Sequence, residues 1–123
     1  MPVRIILDQN APDGLCTALP GFEVVTARSM GWATLANGDL LQAAEDAGFF
    51  GLITCDRNLR YQQNLAGRQI ALIEFSTGAW PVVRNHLDQI LAAVEAANPG
   101  SYTQVPFPRP PLRRRPYPPR LDC

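Results

Sequence analysis

An α/β fold, with a mainly parallel sheet and helices on both faces, is what this chain predicts, and three observations carry the prediction. Short apolar runs recur at Val3–Leu7, Phe22–Thr26, Gly51–Cys55 and Ile70–Phe75. Between them lie segments with helical spacing or turn residues. Strands that alternate with helices require βαβ crossovers, expected to be right-handed, hence parallel neighbours and three layers. About four strands are expected, in the order 2-1-3-4, whose switch point falls between the first and third. That order is chosen in part because it brings two aspartates together.

Val3 to Leu7 is apolar except for Arg4 and reads as a central strand. Asn10-Ala-Pro12-Asp-Gly14 turns the chain; a short helix through Leu15 to Leu19 follows, and Pro20-Gly21 ends it. Phe22 to Thr26, rich in β-branched residues, is the second strand, and Arg28 to Trp32 a loop or short helix. Leu40, Leu41, Ala43, Ala44 and Ala47 mark an amphipathic helix over Asp39–Ala47, stopped by Gly48. Gly51 to Cys55 is the third strand, Leu59 to Leu65 a short Gln-rich helix and Ile70 to Phe75 the fourth strand. Pro81 opens the longest helix, to about Ala97, with Val82, Leu87, Ile90, Leu91 and Val94 on its buried side. Tyr102 to Val105 is a small edge strand.

At 123 residues the chain suits one domain with its own core. It has no run of membrane-spanning length and no basic-then-apolar leader, so no membrane association is expected. Three scattered cysteines, Cys16, Cys55 and Cys123, make neither a disulfide frame nor a zinc site and point to a reducing cytoplasm. Charge divides the chain. Residues 1–105 carry six Arg against ten Asp and Glu, whereas residues 106–123 carry five Arg against one Asp. Seven of the twelve prolines also fall in that last stretch, which favours an extended polyproline II tail. Arg113, Arg114 and Arg115, with Tyr117 close by, suit RNA phosphates and stacked bases. A clamp on the acidic domain or on a second copy of the chain, and a Pro-rich partner ligand, are the rival readings.

The chemistry concentrates in one pattern that occurs twice. Ile5-Ile-Leu-Asp-Gln-Asn10 and Leu52-Ile-Thr-Cys-Asp-Arg-Asn58 each end a buried strand in an aspartate with an asparagine two residues on. Ligands of open parallel sheets bind beyond the carboxyl ends of the strands. Two carboxylates about 5 Å apart repel by roughly 3 kcal/mol at an effective dielectric near 20, and a bound cation reverses that penalty. Hard oxygen ligands without His or Cys favour Mg²⁺ or Mn²⁺.

The set ILDQN, GWATLANGDLLQAA and LITCDRNLRYQQNL resembles the short bacterial PIN-like domains related to VapC-type toxins, over about residues 3–95. The resemblance implies a PIN-type α/β/α fold and metal-dependent RNA cleavage, with an antitoxin protein as partner. Asp8, Asp39 and Asp56 match three acidic positions of the pattern and are the implied metal ligands and catalytic residues. Asn10, Thr54, Arg57 and Asn58 flank them as candidate substrate contacts. Two positions depart: Gln9 and Asn58 stand where many such domains carry further acids.

Each candidate has a structural alternative. Asp39 at a helix start gains from the helix dipole, Asn10 and Asn58 form turns, and Arg57 can pair with an acid of the domain. Thr54 can be an ordinary strand residue, and Gln62, Gln63 and Asn64 a solvated face. His86, the single histidine, lies far in sequence from the acids and is not expected to act in catalysis. Two functions follow: a metal-dependent endoribonuclease, which the resemblance favours, or, as the alternative, a non-catalytic binding module with an incomplete acidic site. The departures at positions 9 and 58 favour the second.

Overall fold

Among the described residues five strands run in the same direction, in a sheet of order β2-β1-β3-β4-β5. They are β1 (Val3–Leu7), β2 (Phe22–Thr26), β3 (Gly51–Thr54), β4 (Ala71–Phe75) and β5 (Tyr102–Val105). The computed structural model describes residues 3–35, 37–55 and 68–107. The expected four-strand order is contained in this sheet, and Tyr102–Val105 adds a fifth strand, paired in register with β4 from Leu72 to Phe75.

Alternate strand residues face opposite ways, so each strand feeds two cores. Ile5, Leu7, Val24, Ile53, Ile73, Phe75 and Val105 face one side. Leu15 covers them, together with Val83 of α2 (Trp80–Val83) and Ile90 and Val94 of α3 (Leu87–Ala96). Ile6, Leu52 and Leu72 face the other side, where Leu40, Leu41 and Ala44 of α1 (Asn37–Asp46) pack with Ala27 and Phe49. Helices therefore lie on both faces. The β2-to-β3 and β4-to-β5 connections advance toward the same edge of the sheet, yet α1 and α3 lie on opposite faces. The two crossovers thus have opposite hands, where a right-handed turn is the general rule.

Two helix expectations change in the structure. The helix expected over Leu15–Leu19 is a 3-10 turn over Asp13–Thr17. Pro20 disfavours helical backbone at Leu19, which leaves no room for a full turn beyond Ala18. The long helix from Pro81 is broken by a 3-10 turn over Arg84–His86. There the Asn85 amide donates to the Pro81 carbonyl at 2.8 Å, and His86 Nδ1 lies 2.8 Å from the Val82 carbonyl. Side-chain groups take up carbonyls that a continuous helix would use, and His86 leaves helical geometry at φ −129°. The break moves the buried position from Val82 to Val83. The short helix expected over Leu59–Leu65 lies outside the described residues.

Packing continues past β5. Phe107 is buried edge-on against Phe75 at 5.1 Å, and its N–H donates to Ser76 Oγ at 3.0 Å. Gln89 of α3 donates to the Pro106 carbonyl. Pro106 and Phe107, assigned to the tail by composition, are therefore packed on the domain. Among the described residues no helix is long and apolar enough to cross a membrane.

Candidate functional site at the carboxyl edge of the sheet

On the α1 face, the strands change character together. Ile6, Leu52, Leu72 and Tyr102 stand side by side in register across β1, β3, β4 and β5. Two residues further along, each strand presents a polar group to the same face: Asp8, Thr54, Glu74 and Gln104. Thr54 and Glu74 are register partners, as are Glu74 and Gln104. The Asp8 N–H continues the ladder by donating to the Ile53 carbonyl at 2.9 Å. Asp8, the first aspartate of the doubled sequence pattern, thus belongs to a polar row that extends across four strands. Thr54 and Glu74, 0% and 2% exposed, are the buried polar side chains among the described residues.

Asp8 is held from two sides. Its Oδ1 accepts the Gln9 N–H at 2.7 Å, and its Oδ2 accepts the Thr54 hydroxyl at 2.9 Å. Thr54 Oγ1 also lies 3.4 Å from Asn10 Oδ1, but a hydroxyl has a single proton and the shorter contact to a carboxylate takes it. Asn10 Oδ1 accepts the Cys55 N–H at 3.0 Å, which ties the end of β1 to the end of β3. With that oxygen engaged, Asn10 presents its amide N–H₂ as a donor. Thr54, expected as a substrate contact or an ordinary strand residue, is fully buried with its hydroxyl on Asp8.

The chain leaving β4 closes on this edge. A Cβ at Gly78 would stand 2.5 Å from the Asn10 carbonyl oxygen and 3.2 Å from Cys55 Sγ, so only glycine permits the approach. The indole of Trp80 covers Gly14 in the same way, with ring atoms 2.5 Å from where a Cβ would lie. Burial, and then the charges of Asp8 and Glu74, push the Cys55 thiol up to about 11. Cys55 is accordingly a neutral thiol at physiological pH and no nucleophile.

Asp39 sits exposed in the first turn of α1, on the sheet face that Asp8 faces. Because α1 follows β2 and returns to the start of β3, its first turn lies toward the carboxyl edge. No hydrogen bond joins Asp39 to Asp8 among the described residues. Asp56, Arg57 and Asn58 lie outside the described residues, as do Arg113, Arg114 and Arg115. Among the described residues no three His, Cys, Asp or Glu side chains stand close enough to hold a metal ion. His86 is held at the Val82 carbonyl with its ring against Phe107, beside Phe75 and so on the opposite face of the sheet.

The sequence reading passed over Glu74 and Tyr102. The Tyr102 hydroxyl donates to Glu74 Oε1 at 2.5 Å. The available signal was a single charge inside the apolar run Ile70–Phe75, which an edge strand would carry easily and a central strand would not. No protein-family model, curated protein or solved structure matches this chain.

Proposed function

We propose that the carboxyl edge around Asp8 is the site of a metal-dependent endoribonuclease of PIN-like type. The observation that supports this best is the fixed Asp8 carboxylate, gripped by Thr54 and the Gln9 N–H where a parallel sheet presents its ligands. Each Asp8 oxygen accepts one hydrogen bond and keeps lone pairs for a further ligand. The donors are hard oxygens with no imidazole beside them, a chemistry that fits Mg²⁺ or Mn²⁺. Asp8, Asp39 and Asp56 would hold the ion, which supplies water activation and charge neutralisation at the phosphodiester. The Asn10 amide N–H₂ serves as donor to a phosphate oxygen, with Arg57 and Asn58 as further substrate contacts. Arg113, Arg114 and Arg115 add phosphate contacts along the RNA. Such an activity in the cytoplasm calls for restraint by an antitoxin protein; self-association through the tail is a further partner reading.

The second reading is a non-catalytic binding module that keeps this fold. It draws on Gln9, whose side chain is committed to a backbone carbonyl and adds no charge to the site. Calorimetry with Mn²⁺ on wild type, Asp8→Asn and Asp56→Asn separates the two, alongside cleavage of a structured RNA. The nuclease reading expects Mn²⁺ binding and cleavage in wild type and loss of both in each variant. Because the substitutions remove repulsion, stability without metal should stay level or rise. Full cleavage by both variants would rule out the assignment.

A further inference from the structure

We infer that Gln9 is a positioning residue that ties the two ends of the candidate site together, its backbone orienting Asp8 and its side chain holding the loop that delivers Asp39. The metal-binding part of this inference rests on the reading proposed above; the tether itself does not.

The loop between β2 and α1 is fastened in stages. At its entry the Ala27 N–H donates to the Leu7 carbonyl of β1 at 2.9 Å. In its middle the Trp32 N–H donates to the Ala27 carbonyl at 2.9 Å, and the Trp32 ring meets Phe49 edge-on at 6.0 Å. At its exit, just before α1, the Gln9 amide Nε2 donates to the Ala33 carbonyl. The far end of α1 has its own fastening: Glu45 pairs with Arg68 at 3.0 Å and accepts the Gln69 N–H. Among the described residues, the Gln9 side chain therefore joins the end of β1, one residue past Asp8, to the stretch leading toward the first turn of α1.

A donor is required at this position. A glutamate of the same length would face the Ala33 carbonyl oxygen with a second acceptor and release the loop. The same amino acid's N–H holds Asp8 Oδ1 at 2.7 Å. A shift of residue 9 therefore moves the orientation of one carboxylate and the placement of the other. This gives the amide at position 9 a reason: it adds geometry where an acid would add charge.

The test compares native-state hydrogen exchange and Mn²⁺ titration in full-length wild type, Gln9→Ala and Gln9→Glu. Loss of one solvent-accessible hydrogen bond should speed exchange of the amides from Ala33 to Leu41 by about five- to tenfold. Amides of β3 and β4 should keep wild-type protection. Unchanged exchange in the loop and first turn of α1 overturns the tether, and equal acceleration throughout the protein does the same, because it marks general destabilisation. For the positioning role, Asp39→Asn should weaken Mn²⁺ binding severalfold in wild type and much less in Gln9→Ala. The same loss in both backgrounds overturns that role. A wild-type protein that binds no Mn²⁺ would sink the metal-site reading alone, and the exchange result still upholds or overturns the tether.

Discussion

The two faces of the sheet are built from the same strands, yet they end differently. Toward α2 and α3, β1, β3, β4 and β5 end in apolar residues, Leu7, Ile53, Phe75 and Val105, with Phe107 edge-on against Phe75, while β2 ends in Thr26 beside Leu7. Toward α1 the apolar rows stop one pair of residues earlier and give way to Asp8, Thr54, Glu74 and Gln104. One face uses its last row for burial, and the other gives that row to polar groups that need partners to be buried at all. A single register shift would exchange the two, because alternate residues point to opposite sides. The difference separates the row that fills the core from the row that carries the candidate site.

The largest expected effect lies on the apolar face. Phe75 is fully buried, with Phe107 edge-on against it at 5.1 Å. Phe75→Ala should cost about 3–5 kcal/mol, since it removes both transfer energy and the contacts around the resulting cavity. Denaturant melts measure it, and a loss below about 1 kcal/mol would mean that the Phe107 side has collapsed into the space without penalty.

A smaller effect is expected on the polar face. Tyr102→Phe leaves the Glu74 carboxylate buried without the donor now 2.5 Å away, at an expected cost of about 1–3 kcal/mol. Replacing both, as Glu74→Leu with Tyr102→Phe, should recover much of the loss, because a buried charge left unpaired costs more than an apolar pair of similar size. If the double variant is as unstable as the sum of the single ones, the two side chains do not act as a pair.

Much of this contrast was legible in the sequence. Continuous apolar runs located β1, β2, β3 and β4, and the aspartate that ends the first run marked the edge where Asp8 is found. Periodicity could not show the break at Arg84–His86, because Asn85 and His86 disrupt the helix through bonds to carbonyls four residues back. Nor could it show the length of the polar row. Thr54 and Glu74 are neighbours only through β3–β4 register, which no single strand encodes. The direction of Thr54 toward Asp8 likewise depends on pairing between residues 46 positions apart.

The smallest effect is electrostatic, and Cys55 reports it from between the two faces. Its thiol packs against the apolar core while Asp8 and Glu74 act on it from the polar row. Burial and then the two carboxylates raise it from 9.0 to about 11. A group whose folded pKa is raised holds its proton more tightly in the folded state. Its contribution to stability is therefore complete below pH 9.0 and falls away as the pH rises toward 11. Peptide-resolved alkylation with iodoacetamide across that range should show Cys55 reacting only as the pH approaches the upper value. Asp8→Asn removes one of the two negative neighbours, so the Cys55 profile should move to lower pH. Cys16, raised by burial and by Asp13, should not move with it and serves as the internal control. A Cys55 profile that stays in place in Asp8→Asn would mean that burial and Glu74 set the thiol and that the Asp8 charge does not act on it.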